Sequence, residues 1–203
     1  MKSVGVERVC LPWAGLLALL LALGAGGANV VVYERPASTT AAVITSAWVE
    51  PDGSDSDMYA YDSFVLDSDQ AIAEVRWRGA YAFNAQYGRV WNFQITFYES
   101  IAGGSEPHVN NPQLPEFYLA HFETGDVAGE TAVDGTSFYD YHYTLPTPFQ
   151  ATAGVKYWLR IEASQVGYPD WGIAAASSGG NGTYFRFSTG AAMFQNVPGD
   201  TAY

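Results

Sequence analysis

Trp158, Arg160 and Glu162 alternate along the run Lys156 to Ser164, with Tyr157, Leu159 and Ile161 between and beside them. In a strand, alternate residues share a face, so a ring, a guanidinium and a carboxylate would stand together on the polar side. Rings that stack on sugar faces, with polar groups nearby to fix hydroxyls, are the chemistry of carbohydrate binding. Tyr168, Asp170 and Trp171 form a second set of this kind. The bland alternative for each ring is a place in a core, where large apolar side chains usually sit. A third candidate is the run Arg76-Trp77-Arg78. Alternation places Ala73, Val75 and Trp77 on one face and Ile72, Glu74, Arg76 and Arg78 on the other, so the tryptophan and its arginines point apart. Trp77 is expected in the core, and Arg76 and Arg78 in an outer row able to pair across strands or meet a ligand.

Asp52, Asp55 and Asp57, with Asp67 and Asp69 in the next turn, offer the oxygen ligands that calcium takes. They lack the EF-hand spacing, and the competing reading is a solvated acidic turn. Calcium is the one cofactor these residues suggest, and the solvated turn is the preferred reading. Nucleophilic catalysis finds no support: Cys10 is the only cysteine, no Gly-x-Ser-x-Gly elbow occurs, and His108, His121 and His142 are scattered. His-Glu-x-x-His is also absent, although His121 and His142 lie in predicted strands where they could face each other. For a glycosidase, Asp140 and Glu162 make the best carboxylate pair. Solvated acids are the preferred reading, and no catalytic residue is assigned.

The elements that must position these residues are strands. Val90 to Tyr98 alternates most clearly, which assigns Trp91, Phe93, Ile95 and Phe97 to the core and Asn92, Gln94 and Thr96 to the other face. Val30–Tyr33, Ala42–Val49, Met58–Leu66, Ala71–Tyr81, Phe117–Glu123, Phe138–Leu145, Trp171–Ala176 and Tyr184–Phe187 read as further strands, with Pro146 and Pro148 expected to end theirs. Residues 101–116 and 125–135 read as loops. No helix is expected after residue 28. The fold class that follows is all-β: an antiparallel, jelly-roll-like β-sandwich of roughly eight to ten strands.

Residues 1–28 read as a secretory leader: Lys2 and Arg8 are followed by an apolar stretch, Leu16 to Leu23, and small residues up to Ala28. The apolar run is too short for the roughly 20 residues of a membrane span. Cys10 lies in this leader, so the mature chain would hold no disulfide. Removing Lys2, Arg8 and Glu7 moves the formal charge from −12 to −13, which argues against nucleic acid as a partner. Residues 29–56 are expected to supply N-terminal strands and the acidic loop, and 57–203 the main module of a single domain.

Asp62-Ser63-Phe64, the run from Ile72 to Tyr81, Phe93 to Tyr98, Tyr157 to Ile161, and Pro169 to Gly172 together resemble a module that recurs in bacterial secreted and cell-surface proteins. Many of those carry a C-terminal sorting anchor of the PEP-CTERM kind. The resemblance covers most of residues 57–203 and implies a β-sandwich at the cell exterior, without a catalytic motif to carry over. The chain departs from it at Val197 to Tyr203, where a further strand usually begins, so a stunted last strand or a fragment is expected. Asn181-Gly182-Thr183 also fits an N-glycosylation sequon, which matters only in a eukaryotic source. The function expected is a secreted, non-catalytic module that binds a glycan or matrix polymer. The alternatives are a secreted polysaccharide hydrolase and a purely structural envelope or matrix protein.

Overall fold

Period-two alternation gives most long strands one apolar side, and two sheets bury those sides against each other. The computed structural model describes residues 30–37, 42–50, 57–81, 89–109, 117–167, 170–189 and 193–203. The expected leader, Asp52, Asp55 and Tyr168 lie outside these residues. One sheet has the order β1 (Val43–Thr45), β10 (Trp171–Ala174), β4 (Gln70–Tyr81), β8 (Phe138–Ala151), β7 (Thr131–Ala132). The other runs β12 (Met193–Pro198), β11 (Thr183–Ser188), β3 (Met58–Val65), β2 (Ala47–Glu50), β9 (Lys156–Val166), β5 (Val90–Glu99), β6 (Ala120–Glu123). The all-β sandwich is as the sequence predicts, with twelve strands among the described residues rather than eight to ten. Val30–Tyr33 forms no strand.

Ala42–Val49 divides at Ser46, so that β1 joins the five-stranded sheet and β2 the seven-stranded one. Ser46 fixes the crossing, because its hydroxyl donates to the Ile161 carbonyl at 2.6 Å and accepts the Ala60 N–H at 3.2 Å. β2 then lies parallel to β9, the one exception to antiparallel pairing among the described strands. Pro146 and Pro148 do not end β8. They lie where its register with β4 slips, between the pairs Glu74↔Thr144 and Ile72↔Phe149, a place where missing N–H groups do no harm. The slip also corrects the expected faces: Ile72 packs against the core while Ala73 is exposed.

The core between the sheets is aromatic. Phe93 meets Trp77, Tyr141 and Trp171 edge to face at 5.1, 5.0 and 5.0 Å, and Trp77 stacks on Tyr141. Trp77 is therefore a core ring, as alternation predicts. Gly79 makes this packing possible, since a Cβ there would collide with the Trp171 indole. Trp91 is the clear exception to the expected pattern. A bulge separates the pairs Val90↔Gln165 and Asn92↔Ser164, leaving Trp91 as the extra residue. Val90 and Asn92 are buried, while Trp91 is 46% exposed rather than in the core.

Candidate functional site

The seven-stranded sheet has a second buried layer on the side facing away from the sandwich core. β9 places Trp158, Arg160 and Glu162 there, because Leu159 and Ile161 between them point into the core. The register sets Tyr61 of β3 opposite Arg160 and Tyr98 of β5 opposite Trp158, and Phe185 of β11 pairs with Tyr61. Tyr59 and Phe187 complete the cluster. The Arg160 guanidinium lies 5.3, 5.7 and 5.7 Å from the ring centres of Tyr59, Tyr61 and Tyr98, which is cation–π range. One of its nitrogens is 3.2 Å from Glu162 Oε2, and another donates to the Tyr61 hydroxyl at 3.5 Å.

Electrostatically this is a closed site. Burial works against the Arg160 charge, but Glu162 and the tyrosine oxygens outweigh it and hold its pKa above the usual value. Burial pushes the Glu162 carboxyl up, opposed by Arg160 and reinforced by Asp57. The tyrosine hydroxyls of Tyr59 and Tyr61 are raised as well, again mainly by burial. Residues 100–109 fasten over one end. Trp158 Nε1–H donates to Ser100 Oγ at 2.7 Å, Lys156 Nζ reaches the Gly104 carbonyl at 2.9 Å, and Val109 packs on the cluster. The sequence placed Trp158, Arg160 and Glu162 on one face, and they are on one face. They are not on an open polar surface, however: they are 2%, 6% and 4% exposed.

The other predicted residues are dispersed. Trp171 is fully enclosed in the inter-sheet core, where its Nε1–H donates to Tyr141 Oη at 3.1 Å, so it is no surface platform. Asp170 beside it is half-buried, and burial followed by Asp57 raises its pKa. Arg78 forms a two-pronged pair across strands with Asp140 at 2.6 and 2.9 Å, and Arg76 pairs with Glu74. The outer basic row is thus matched by its own acids. Asp57 is buried at the start of β3, where its Oδ1 accepts the Val49 N–H at 2.9 Å. Asp67 and Asp69 follow the other end of this 8-residue strand, about 26 Å away at ~3.3 Å per residue. One ion cannot bridge Asp57 and Asp67 or Asp69, and Asp69 already caps the Ala153 N–H at 2.8 Å.

The proposed pairs are also parted. Asp140 and His142 alternate with the core residue Tyr141 on β8 and face outward from the five-stranded sheet. Glu162 and His121 face outward from the seven-stranded sheet, with His121 Nδ1 3.0 Å from Thr96 Oγ1. The entire sandwich therefore lies between Asp140 and Glu162, and between His121 and His142. His108 is hydrogen-bonded to Glu99 at 2.8 Å in a loop.

Two buried polar clusters were not anticipated. Arg35, from the segment before β1, is paired with Asp62 of β3, which also accepts the Thr201 N–H at 2.6 Å and its hydroxyl at 3.1 Å. Tyr33 and Tyr203 flank the guanidinium. Asp62, in the middle of the expected strand Met58–Leu66, was the available signal, since an Asp inside an apolar strand needs a partner. The second cluster is Glu130, which accepts the Tyr81 and Tyr141 hydroxyls at 2.7 and 3.1 Å and pairs with Arg89. Burial, with Glu130 beside it, pushes Tyr81 up to about 12. No local pattern marked that network.

Among the described residues no helix is long and apolar enough to cross a membrane, and no group of three or more His, Cys, Asp or Glu is placed to hold a metal ion. No curated protein and no solved structure matches the chain. Residues 42–183, from just before β1 to the first residue of β11, match the family model described as Domain of unknown function (DUF7901), and the protein belongs to that family.

Proposed function

We propose that the protein is a secreted, non-catalytic β-sandwich module that binds a glycan or matrix polymer outside the cell. What supports the non-catalytic part of this reading is the separation of Asp140 and Glu162, the best carboxylate pair in the sequence. A glycosidase requires two carboxyls roughly 5–10 Å apart across one cleft, whereas Asp140 and Glu162 face away from each other on opposite sheets. Arg160 with Glu162, Arg78 with Asp140, and Arg35 with Asp62 are joined in pairs that stabilise or order the fold. The leader-like residues 1–28, the strong acidity and the resemblance to bacterial cell-surface modules support an exterior location.

The test is a polysaccharide array probed with the protein, where concentration-dependent binding to at least one polymer is expected and flat signals on all would defeat the proposal. Incubation with the same polymers should release no new reducing ends. Their appearance would favour the polysaccharide-hydrolase alternative. A structural role in an envelope or matrix is the second reading, favoured by the buried aromatic layer on the seven-stranded sheet. Calcium enters this proposal only through the loop of Asp67 and Asp69 and the acidic residues before Asp57. A melting temperature unchanged by chelator would remove it.

A further inference from the structure

We infer that Trp91 is a stacking platform for one pyranose ring, a site that rests on the glycan-binding reading and gives it a location. Strand β5 alternates so regularly that Trp91 would share the core face with Phe93, Ile95 and Phe97. The bulge between Val90 and Asn92 takes it out, and it is 46% exposed while the residues on either side are buried. Bulges that re-aim a single side chain gather at functional edges of sheets.

The backbone around the ring is pinned on both sides. On one side, the Val90 N–H donates to Tyr81 Oη at 3.3 Å. On the other, Asn92 Oδ1 accepts the Gly125 N–H at 2.8 Å, and the Phe93 N–H donates to Thr124 Oγ1 at 2.9 Å. The ring is thus carried on a fixed backbone, so binding would not have to order the chain beneath it.

The surroundings favour a sugar over a protein partner. Arg89, two residues before Trp91, has a side chain 60% exposed while it is held to Glu130, so a partly solvated guanidinium lies in the same stretch of chain. Val166, 56% exposed, stands one step past the Val90↔Gln165 pair and so across from Arg89. One exposed indole, with an exposed valine and a guanidinium in the adjoining positions of the register, is the scale of apolar face and polar rim that a single pyranose takes. It falls far short of the roughly 800 Å² per partner that a stable protein interface buries.

The test compares the natural protein with Trp91→Ala and Trp91→Phe on soluble β-glucan, xylan and chitin-derived oligosaccharides. Affinity should fall roughly tenfold or more in Trp91→Ala, be retained in part by Trp91→Phe, and leave the melting temperature nearly unchanged in both. Binding by the natural protein that Trp91→Ala does not weaken would overturn the platform and leave the glycan reading standing. If the natural protein binds none of these polymers, the glycan reading fails and the platform with it.

Discussion

The two outer faces of the sandwich are built on opposite principles. The five-stranded sheet shows solvent a row of ions: Arg76 is 69% exposed beside Glu74, and Arg78 is joined to an Asp140 that is 51% exposed. The seven-stranded sheet has its charged residues sealed, with Arg160 and Glu162 both under 10% exposed inside a shell of tyrosine, tryptophan and phenylalanine. The same residue types thus do different work. An exposed pair is screened and contributes little, whereas a sealed pair has lost its water and depends on its partners. Alternation of apolar and polar residues along a strand does not distinguish these cases, because both faces read as polar.

Substitutions should separate the two faces. Glu162→Ala takes the carboxylate away from the Arg160 guanidinium in a water-poor site and is expected to cost about 3–5 kcal/mol in urea unfolding. Phe185→Ala, which takes a ring out of the second layer, belongs in the same range of about 3–5 kcal/mol. Asp140→Ala breaks a pair on the other face and should cost about 0.2–1 kcal/mol, falling further in high salt. A loss for Asp140→Ala as large as that for Glu162→Ala would break the distinction.

The smallest effect concerns pH. Burial lowers the His121 pKa below its ordinary 6.5, with Glu123 opposing. Below pH 6.5 the unfolded chain then binds the proton more readily than the folded one, so this histidine withdraws stability as pH falls from 6.5 through its lowered folded value. His121→Gln should therefore lose less stability than the natural protein between pH 7 and pH 5, as measured by thermal unfolding. An identical or steeper loss would show that the ring is not desolvated beside Thr96.

Much of the fold was legible because Phe93, Ile95, Phe97, Leu159 and Ile161 sit at strict alternation, and period two is a local property of the chain. Arg76, Trp77 and Arg78 parted as expected for the same reason. What escaped depended on partners distant in sequence. The Trp91 bulge is created by pairing with Gln165 and Ser164, and nothing in residues 90–98 marks it. Which sheet takes Asp140 and which takes Glu162 is a tertiary fact, and it dissolves their pairing. The burial of Trp158 requires β3, β5, β11 and the loop at 100–109 together. The separation of Asp57 from Asp67 and Asp69, by contrast, was readable, since the eight-residue strand between them fixes their distance.

Three tryptophans exchange the places that their sequence context suggests: Trp158 and Trp171, the expected ligand rings, lie inside, and Trp91, the expected core ring, lies outside. Hydroxyl-radical footprinting of the folded protein, read residue by residue by peptide mass spectrometry, tests this most directly. Trp91 should oxidise first, with Trp158 and Trp171 protected until denaturant unfolds the sandwich. Oxidation of Trp158 as fast as Trp91 under native conditions would contradict the sealed second layer on the seven-stranded sheet.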